Sequence, residues 1–440
     1  MDIMTFLICL DKCLSKTLLR QLTCIIEAML SMTGRVTMLG ISRWTEKGGS
    51  YRTIQRFFNT SISWCKLNWF VIHHMISGQS DIIMAGDETT VTKSGKKTYG
   101  VDRFFSSIFN RPVPGIAFFC LSLINVKNQT SYPIIMEQIE KEKKKDKKDS
   151  QKTKKKPKKK KSLAGRPKGS RNKNKKEVEL SPYLLWVQGL IRNLLGLIGA
   201  NIPIIYFVFD GAFGHNDALQ MVRQCGLHLI SKLRYDSALW FPYIGPYSGR
   251  GTHKKYGKKL DYDNMPDEHL VQSVLENHIQ TNIYQMNLWH KEFPEQLNIV
   301  VIVKKNLKTS KSSHIVLFCS NLKLAWDKII AYYRSRFQIE FNFRDAKQHW
   351  GLEDFMNVNA KPVYNGANLS MFMVNFSQIL IQNQSIGLGS INDLKSWFRG
   401  RKYVQKILKL LPQKPEPIFI KQIHDELSAL GRIHAIAGVI

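Results

Sequence analysis

What this sequence lacks narrows its nature first. Its 7 cysteines include no Cys-x-x-Cys pair, so neither a zinc ribbon nor a disulfide scaffold is signalled, and a reduced, intracellular protein fits. Cys9 and Cys13 lie on an N-terminal helical pattern, while Cys65, Cys120, Cys225 and Cys319 sit in apolar runs. No window reaches about 18 uncharged apolar residues, so no membrane span is expected. The start, MDIMTFLICLDKCLSK, carries Asp2 and breaks its apolar run at Asp11, which makes a poor secretory signal. Acidic residues are scarce, with 34 Asp and Glu against 65 Lys and Arg, a formal charge of +31. A chain this basic repels itself unless it meets a polyanion, and nucleic acid is the usual one. The plainer alternative is a ribosome-associated or merely adhesive protein. Apolar residues are not scarce: 43% hydrophobic and 11% aromatic content over 440 residues allows two or three domains with a sizeable core.

The chain divides by period. Residues 1–75 carry apolar residues at three- and four-residue spacing (Leu18, Leu19, Leu22, Ile25, Ile26, Met29) and read as helical. Within them, ISRWTEKGGSYRTIQRFFN predicts a short helix, a Gly48-Gly49 turn and a second helix capped by Ser50, with Arg52, Gln55 and Arg56 close together. This is either a helix-turn-helix whose second helix enters a major groove or an ordinary helical hairpin. Residues 81–138 then hold DIIMAGDETTV, GIAFFCLSLINV and TSYPIIMEQ, three short β-branched runs bounded by Gly, Pro and Asn. A helix over 183–199, the apolar strand NIPIIYFVFDG, a helix from Asn216 and a strand through LHLISKL follow. Strands followed by helix–strand alternation predict a mixed α/β sheet. The expected organisation is a helical N-terminal region (1–75), a core from 80–235 and 321–380, a β-rich insertion (236–320) and a helical C-terminal region (381–440).

One segment stands apart. Residues 141–176 hold 20 Lys or Arg against 3 Asp or Glu and too few apolar residues to offset the entropy of ordering, so they read as a disordered loop. At its end GRPKGSRNKNK has the Gly-Arg-Pro core of an AT-hook, in which Arg166 would enter a narrow A·T minor groove. The favoured reading is general gripping of DNA, a solvated charge run in which Arg166 and Lys168 hold phosphate without reading sequence.

The chemistry concentrates in three acids. In YRSRFQIEFNFRDAKQHW, taken as a helix advancing about 100° per residue, Tyr333, Arg336, Glu340 and Lys347 share one stripe. Phe337 and Phe341 lie on one side of that stripe and Ile339 and Phe343 on the other, so it falls within the arc expected to be buried. Arg334, Ser335, Gln338, Asn342, Asp345 and His349 form the opposite, solvent face. Charges on a buried stripe are costly unless paired, metal-bound or met by a charged ligand. Taken alone, the stripe is equally an internal Arg336–Glu340 salt bridge. Two more acids shift the balance: Asp87 follows DIIMAG on the first strand, and Asp210 ends the strand IPIIYFVF. Carboxylates at strand ends meet at a sheet rim, and three of them supply the hard oxygens that suit a pair of Mg²⁺ or Mn²⁺ ions. Glu88 should point to the other face of its strand. His215 and Asp217 are explained by capping near Asn216, and His73 and His74 by ordinary helix packing.

These residues resemble a known family, the DDE transposases of bacterial insertion sequences marked by Tyr-(2)-Arg-(3)-Glu-(6)-Lys. Tyr333, Arg336, Glu340 and Lys347 match that spacing without a gap, GDETTV and FDGAFG match the other two signatures, and SYRTIQRFFN is similar to the family's N-terminal region. The resemblance implies an RNase H-like core with a β-rich domain inserted between Asp210 and Glu340. It implies catalysis and metal binding by Asp87, Asp210 and Glu340 with two Mg²⁺ ions, and phosphate contacts from Tyr333, Arg336 and Lys347. It further implies cleavage of double-stranded DNA at terminal inverted repeats, strand transfer into target DNA, a homodimeric synapse and a bacterial cytoplasmic site on the nucleoid. Relatives stack an insertion-domain aromatic on a flipped base. Trp240 and Trp289 are candidates here, though a buried structural tryptophan is the favoured reading of each. The lysine-rich loop lies outside the family signature. The alternatives are a non-cutting DNA-binding protein derived from such an element, and an RNase H-fold nuclease that cuts without joining.

Overall fold

The computed structural model describes residues 3–46, 48–79, 81–106, 110–141, 174–247, 249, 251–382, 388–413, 415–430 and 433–434. Arg166 and Lys168, with most of the basic run, lie outside them. Helices α1 (Ile3–Leu7), α2 (Lys16–Ser31), α3 (Met38–Trp44), α4 (Tyr51–Phe58) and α5 (Trp64–Ile76) come first. Strands β1 (Ile82–Thr92), β2 (Asp102–Ser106), β3 (Arg111–Asn125) and β4 (Thr130–Ile139) are next, then α6 (Pro182–Ile198), β5 (Tyr206–Val208), α7 (Asn216–Arg223) and β6 (His228–Leu233). After these come β7 (Leu239–Pro242), β8 (Tyr256–Lys259), β9 (Leu270–Glu276), β10 (Ile279–His290), β11 (Leu297–Asn306) and β12 (Ser312–Cys319). Helices α8 (Trp326–Ser335), α9 (Gln338–His349), α10 (Ala360–Gln382), α11 (Ile391–Leu408) and α12 (Pro417–Ala429) complete the order.

The centre of the sheet runs β4-β3-β1-β5-β6, with β4, β3 and β1 antiparallel and β1, β5 and β6 parallel. This is the RNase H-like mixed α/β arrangement that the sequence predicts. Both faces are covered, which is why the first half of β1 and most of β3 read as continuous apolar runs rather than alternating ones. On one face α6 lays Tyr183 and Trp186 against Phe119. On the other, α9 and α10 pack on β4, with α9 also reaching β1. The strands of 236–320 extend this sheet, since β12 pairs with β6 and is followed outward by β11 and β10. No helix among the described residues is long and apolar enough to cross a membrane.

A buried set of asparagines ties the N-terminal helices to the edge of this sheet. β4 pairs on one side with β3, and its carbonyls at Pro133, Ile134 and Met136 accept from Asn375, Asn68 and Asn368. On α10, Asn365 accepts from the Trp64 indole and donates to Phe58 O and Thr60 O. Buried backbone acceptors are costly unpaired, so these amides satisfy the edge as a further strand would. The helix α5 is thereby held against β4, and the end of α4 against α10.

Candidate active site

Parallel pairing sets the first two acids side by side. β1 and β5 pair at Met84–Phe207 and Ala85–Val208. The same register carried two residues further places Asp210 beside Asp87. Gly86 permits this approach: a Cβ there would lie 3.0 Å from the Phe209 ring and 3.1 Å from Phe119. Phe209 in turn stacks on Phe213 at 3.8 Å, which pins the turn after β5. Asp210 caps that turn, its Oδ1 accepting from Ala212 N at 2.9 Å, and its carbonyl accepts from Ser231 Oγ at 2.6 Å. Gly214 closes the same turn against β6, where a Cβ would sit 2.5 Å from Lys232 O. Gly214→Ala should therefore cost about 1–3 kcal/mol of stability through overpacking. Chemical denaturation will check this, and a wild-type midpoint would show the turn to be slack.

The third acid arrives from the helical segment after β12. Arg336 donates through Nη1 to Asp87 Oδ2 at 2.5 Å, and its Nη2 lies 3.7 Å from Glu340 Oε1. The guanidinium thus spans the two carboxylates. Arg336 and Asp87 keep only 14% and 17% of their side-chain surface exposed, whereas Glu340 keeps 45%. Burial pushes the Asp87 carboxyl above its usual range, and Asp210 raises it further, against the lowering pull of Arg336. Burial also raises Glu340, opposed by Arg336 and reinforced by Asp87. Tyr333 is pushed up by burial, with Asp210 and Asp87 among its charged neighbours. Lys347 donates to Thr90 O at 3.1 Å and pairs with Glu353 at 3.4 Å. The stripe of Tyr333, Arg336, Glu340 and Lys347 therefore lies along β1.

The helix carrying the stripe is not one regular helix, and its buried face differs from the predicted one. Ser335 and Asn342 belong to the predicted solvent face but are buried. Ser335 donates to Ala331 O and accepts from Gln129, and Asn342 donates to Ser131 Oγ. Phe337, expected to be buried, is 49% exposed. The cause is local. Phe337, Ile339 and Glu340 donate to carbonyls three residues back, a tighter winding of about three residues per turn. This rotates α9 relative to α8, so that Ile339, Asn342, Phe343 and Ala346 face the core while Glu340 rises to the rim.

Around this centre, Glu88 accepts from the Tyr183 hydroxyl of α6, on the face opposite Asp87. Nothing in the sequence pattern signalled Tyr183, which sits among Phe119 and Trp186 and whose charged neighbours include Glu88, Asp210 and Asp87. His215, rather than Asn216, caps α7, accepting from Ala218 N. Trp240 and Trp289 face each other across β7 and β10, with Lys291 over the first ring at 4.6 Å and Lys255 over the second at 5.4 Å. Arg52, Gln55 and Arg56 are exposed on α4, whose Ile54, Phe57 and Phe58 are buried.

The donor set suits a hard cation in kind: Asp87 and Glu340 share the Arg336 guanidinium, and Asp210 adds a third carboxylate near Asp87. In this conformation Arg336 supplies the positive charge. Among the described residues no three His, Cys, Asp or Glu side chains gather closely enough to share an ion.

Asp87 sits in the middle of β1 rather than at its end, while Asp210 follows the end of β5. An RNase H-like sheet with acids on two adjacent parallel strands and on a later helix is the arrangement of a nuclease- or transposase-type protein. The chain belongs to the DDE superfamily endonucleases, whose family model matches residues 9–294. The match spans Asp87 and Asp210 and ends before Glu340. Membership implies metal-dependent nuclease chemistry on DNA. Among curated proteins no relative matches.

Proposed function

We propose that this endonuclease is a cut-and-paste DNA transposase of the insertion-sequence type, binding terminal inverted repeats and joining the excised ends to target DNA. The observation that supports the reading is that Arg336 joins Asp87 of β1 to Glu340, while Asp210 follows the parallel strand beside β1 and is a charged neighbour of Asp87. Asp87, Asp210 and Glu340 would hold two divalent ions, Mg²⁺ or Mn²⁺, with Arg336 giving up its carboxylate contacts to them. When bound, such ions activate the attacking water or hydroxyl and stabilise the leaving oxygen. Tyr333, Arg336 and Lys347 grip phosphates next to the cut, as their shared position along β1 allows. Phe209 and Phe213 hold Asp210 in place, and the buried setting of Asp87 strengthens its interaction with any cation.

Cleavage of a duplex bearing the inverted repeat that flanks the gene tests this. Nicks at the repeat end and joined products in a target plasmid are expected in Mg²⁺ or Mn²⁺. Binding without any cut would mark a DNA-binding derivative, and cutting without joining a nuclease of the same fold.

The helix pair α3–α4 is assigned to recognition of the repeat, because Arg52, Gln55 and Arg56 stand out from a helix anchored by its opposite face. Arg52→Ala and Arg56→Ala should each lower the salt dependence of binding by a slope of about 1. Anisotropy titrations over a range of salt will measure it, and unchanged slopes for both would remove α4 from the interface. A homodimer across the two ends completes the reading.

A further inference from the structure

Beyond the acids, β1 leads into a second basic site. Past Thr92 the chain continues as Lys93, whose N–H still donates to Pro114 O. There a cleft of about 390 Å³ opens between this end of β1 and the 353–358 segment, lined by Arg35, Lys93, Lys97, Thr98, Phe355 and Met356 among others. Lys93 is half-buried. Its Nζ donates to Glu353 O at 3.0 Å and Phe355 O at 2.8 Å and lies 3.9 Å from the centre of the Phe355 ring. An ammonium has three donors, so one is left over. The nearby acids are already engaged: Glu353 with Lys347 at 3.4 Å, and Asp354 with Arg35 at 3.4 Å and Val36 N at 2.9 Å. Among the described residues Lys97 forms no ion pair. Four cations, Arg35, Lys93, Lys97 and Lys347, thus share two carboxylates.

We propose that this cleft binds a backbone phosphate of the DNA strand that passes the active site. The inference rests on the transposase reading above, because the occupant is that reading's substrate. The geometry favours a continuous polyanion over an isolated one. Arg336 at Asp87, Lys347 at Thr90 and Lys93 form a row along a single strand. At about 3.3 Å per residue, the row spans about 20 Å, or about six nucleotide steps of one DNA strand. Burial pushes Lys93 down to about 8, which still leaves it charged at neutral pH, a state that an incoming phosphate would favour.

The test pairs a protein variant with a DNA modification. In full-length protein, Arg35→Ala with Lys97→Ala changes two exposed side chains and spares the packing of Lys93. Binding of the repeat-end duplex should weaken roughly tenfold, with the salt slope lower by about 2. Single methylphosphonates along each strand should reveal one position, within about six nucleotides of the cut, whose neutralisation weakens wild type. The same position should leave the double variant unaffected. The proposal is overturned if the variant binds like wild type, or if its loss is the same at every modified position. It is also overturned if inorganic phosphate at matched ionic strength displaces DNA from wild type alone, which would make this a free-phosphate site. Should wild type neither bind nor cut the repeat end, the transposase reading fails instead.

Discussion

If Asp210 holds a metal ion as proposed, Asp210→Asn is expected to lower DNA cleavage by at least about a thousandfold, since losing such a carboxylate removes several kcal/mol of transition-state stabilisation and about 1.4 kcal/mol is tenfold in rate. Asp87→Asn and Glu340→Gln should do the same. Binding of the repeat end should survive in all three, because removing a negative charge beside DNA does not oppose association. Asp87→Asn should also cost some stability, because it leaves the largely buried Arg336 guanidinium with Glu340, 3.7 Å away, as its remaining carboxylate. Gel-resolved cleavage with anisotropy binding on the same preparations decides the matter. If any one variant cuts near the wild-type rate, the assignment of that acid is wrong. Glu340 is the most exposed to this test, because the family match ends before it.

Arg336→Met is expected to destabilise the protein by about 3 kcal/mol near neutral pH, as removal of one partner from a largely buried pair strands the other charge. Asp87 loses its 2.5 Å partner and Glu340 its nearest cation. Adding Asp87→Asn should recover most of the loss. The sign with pH comes from the carboxyls. In wild type both are raised above 3.8 and 4.5, so the stability they contribute is fully present below those values and lost as pH rises through the raised ones. Without Arg336 they rise further, and the deficit of Arg336→Met should shrink as pH falls into the carboxyl range. Denaturation midpoints across pH will show it. A deficit independent of pH would mean that Arg336 matters for packing alone. Divalent cation should also raise the melting temperature of wild type more than that of Asp87→Asn, because a ligand that binds only the folded state stabilises it.

Much of the fold was legible because its signals are local. The apolar start of β1, the run of β3, the segment before Asp210 and the Ser50 cap depend on neighbours a few residues away. The strand segment IPIIYFVF was longer in the sequence than in the sheet, where only Tyr206–Val208 pairs as strand, because β5 meets β1 over just two register positions. The stripe on α9 was harder to read. A regular helix predicts one buried arc, yet the tight backbone bonds donated by Phe337, Ile339 and Glu340 rotate the turns of α9 beyond them. Phe337 is thereby traded outward for Ser335 and Asn342 inward.

By itself, the sequence determined which residues could do chemistry and on which kind of element each would ride: two acids following apolar strand segments, a third with its arginine and lysine at helical spacing, and a surplus of positive charge seeking a polyanion. Only the tertiary structure decided that Asp210 stands beside Asp87, that Arg336 spans Asp87 and Glu340, and that Lys93 continues the basic row. The physical reason is range. Propensity and periodicity act over a few residues, whereas the register between β1 and β5 joins positions more than a hundred residues apart, and their pairing is set by the packing of the whole sheet.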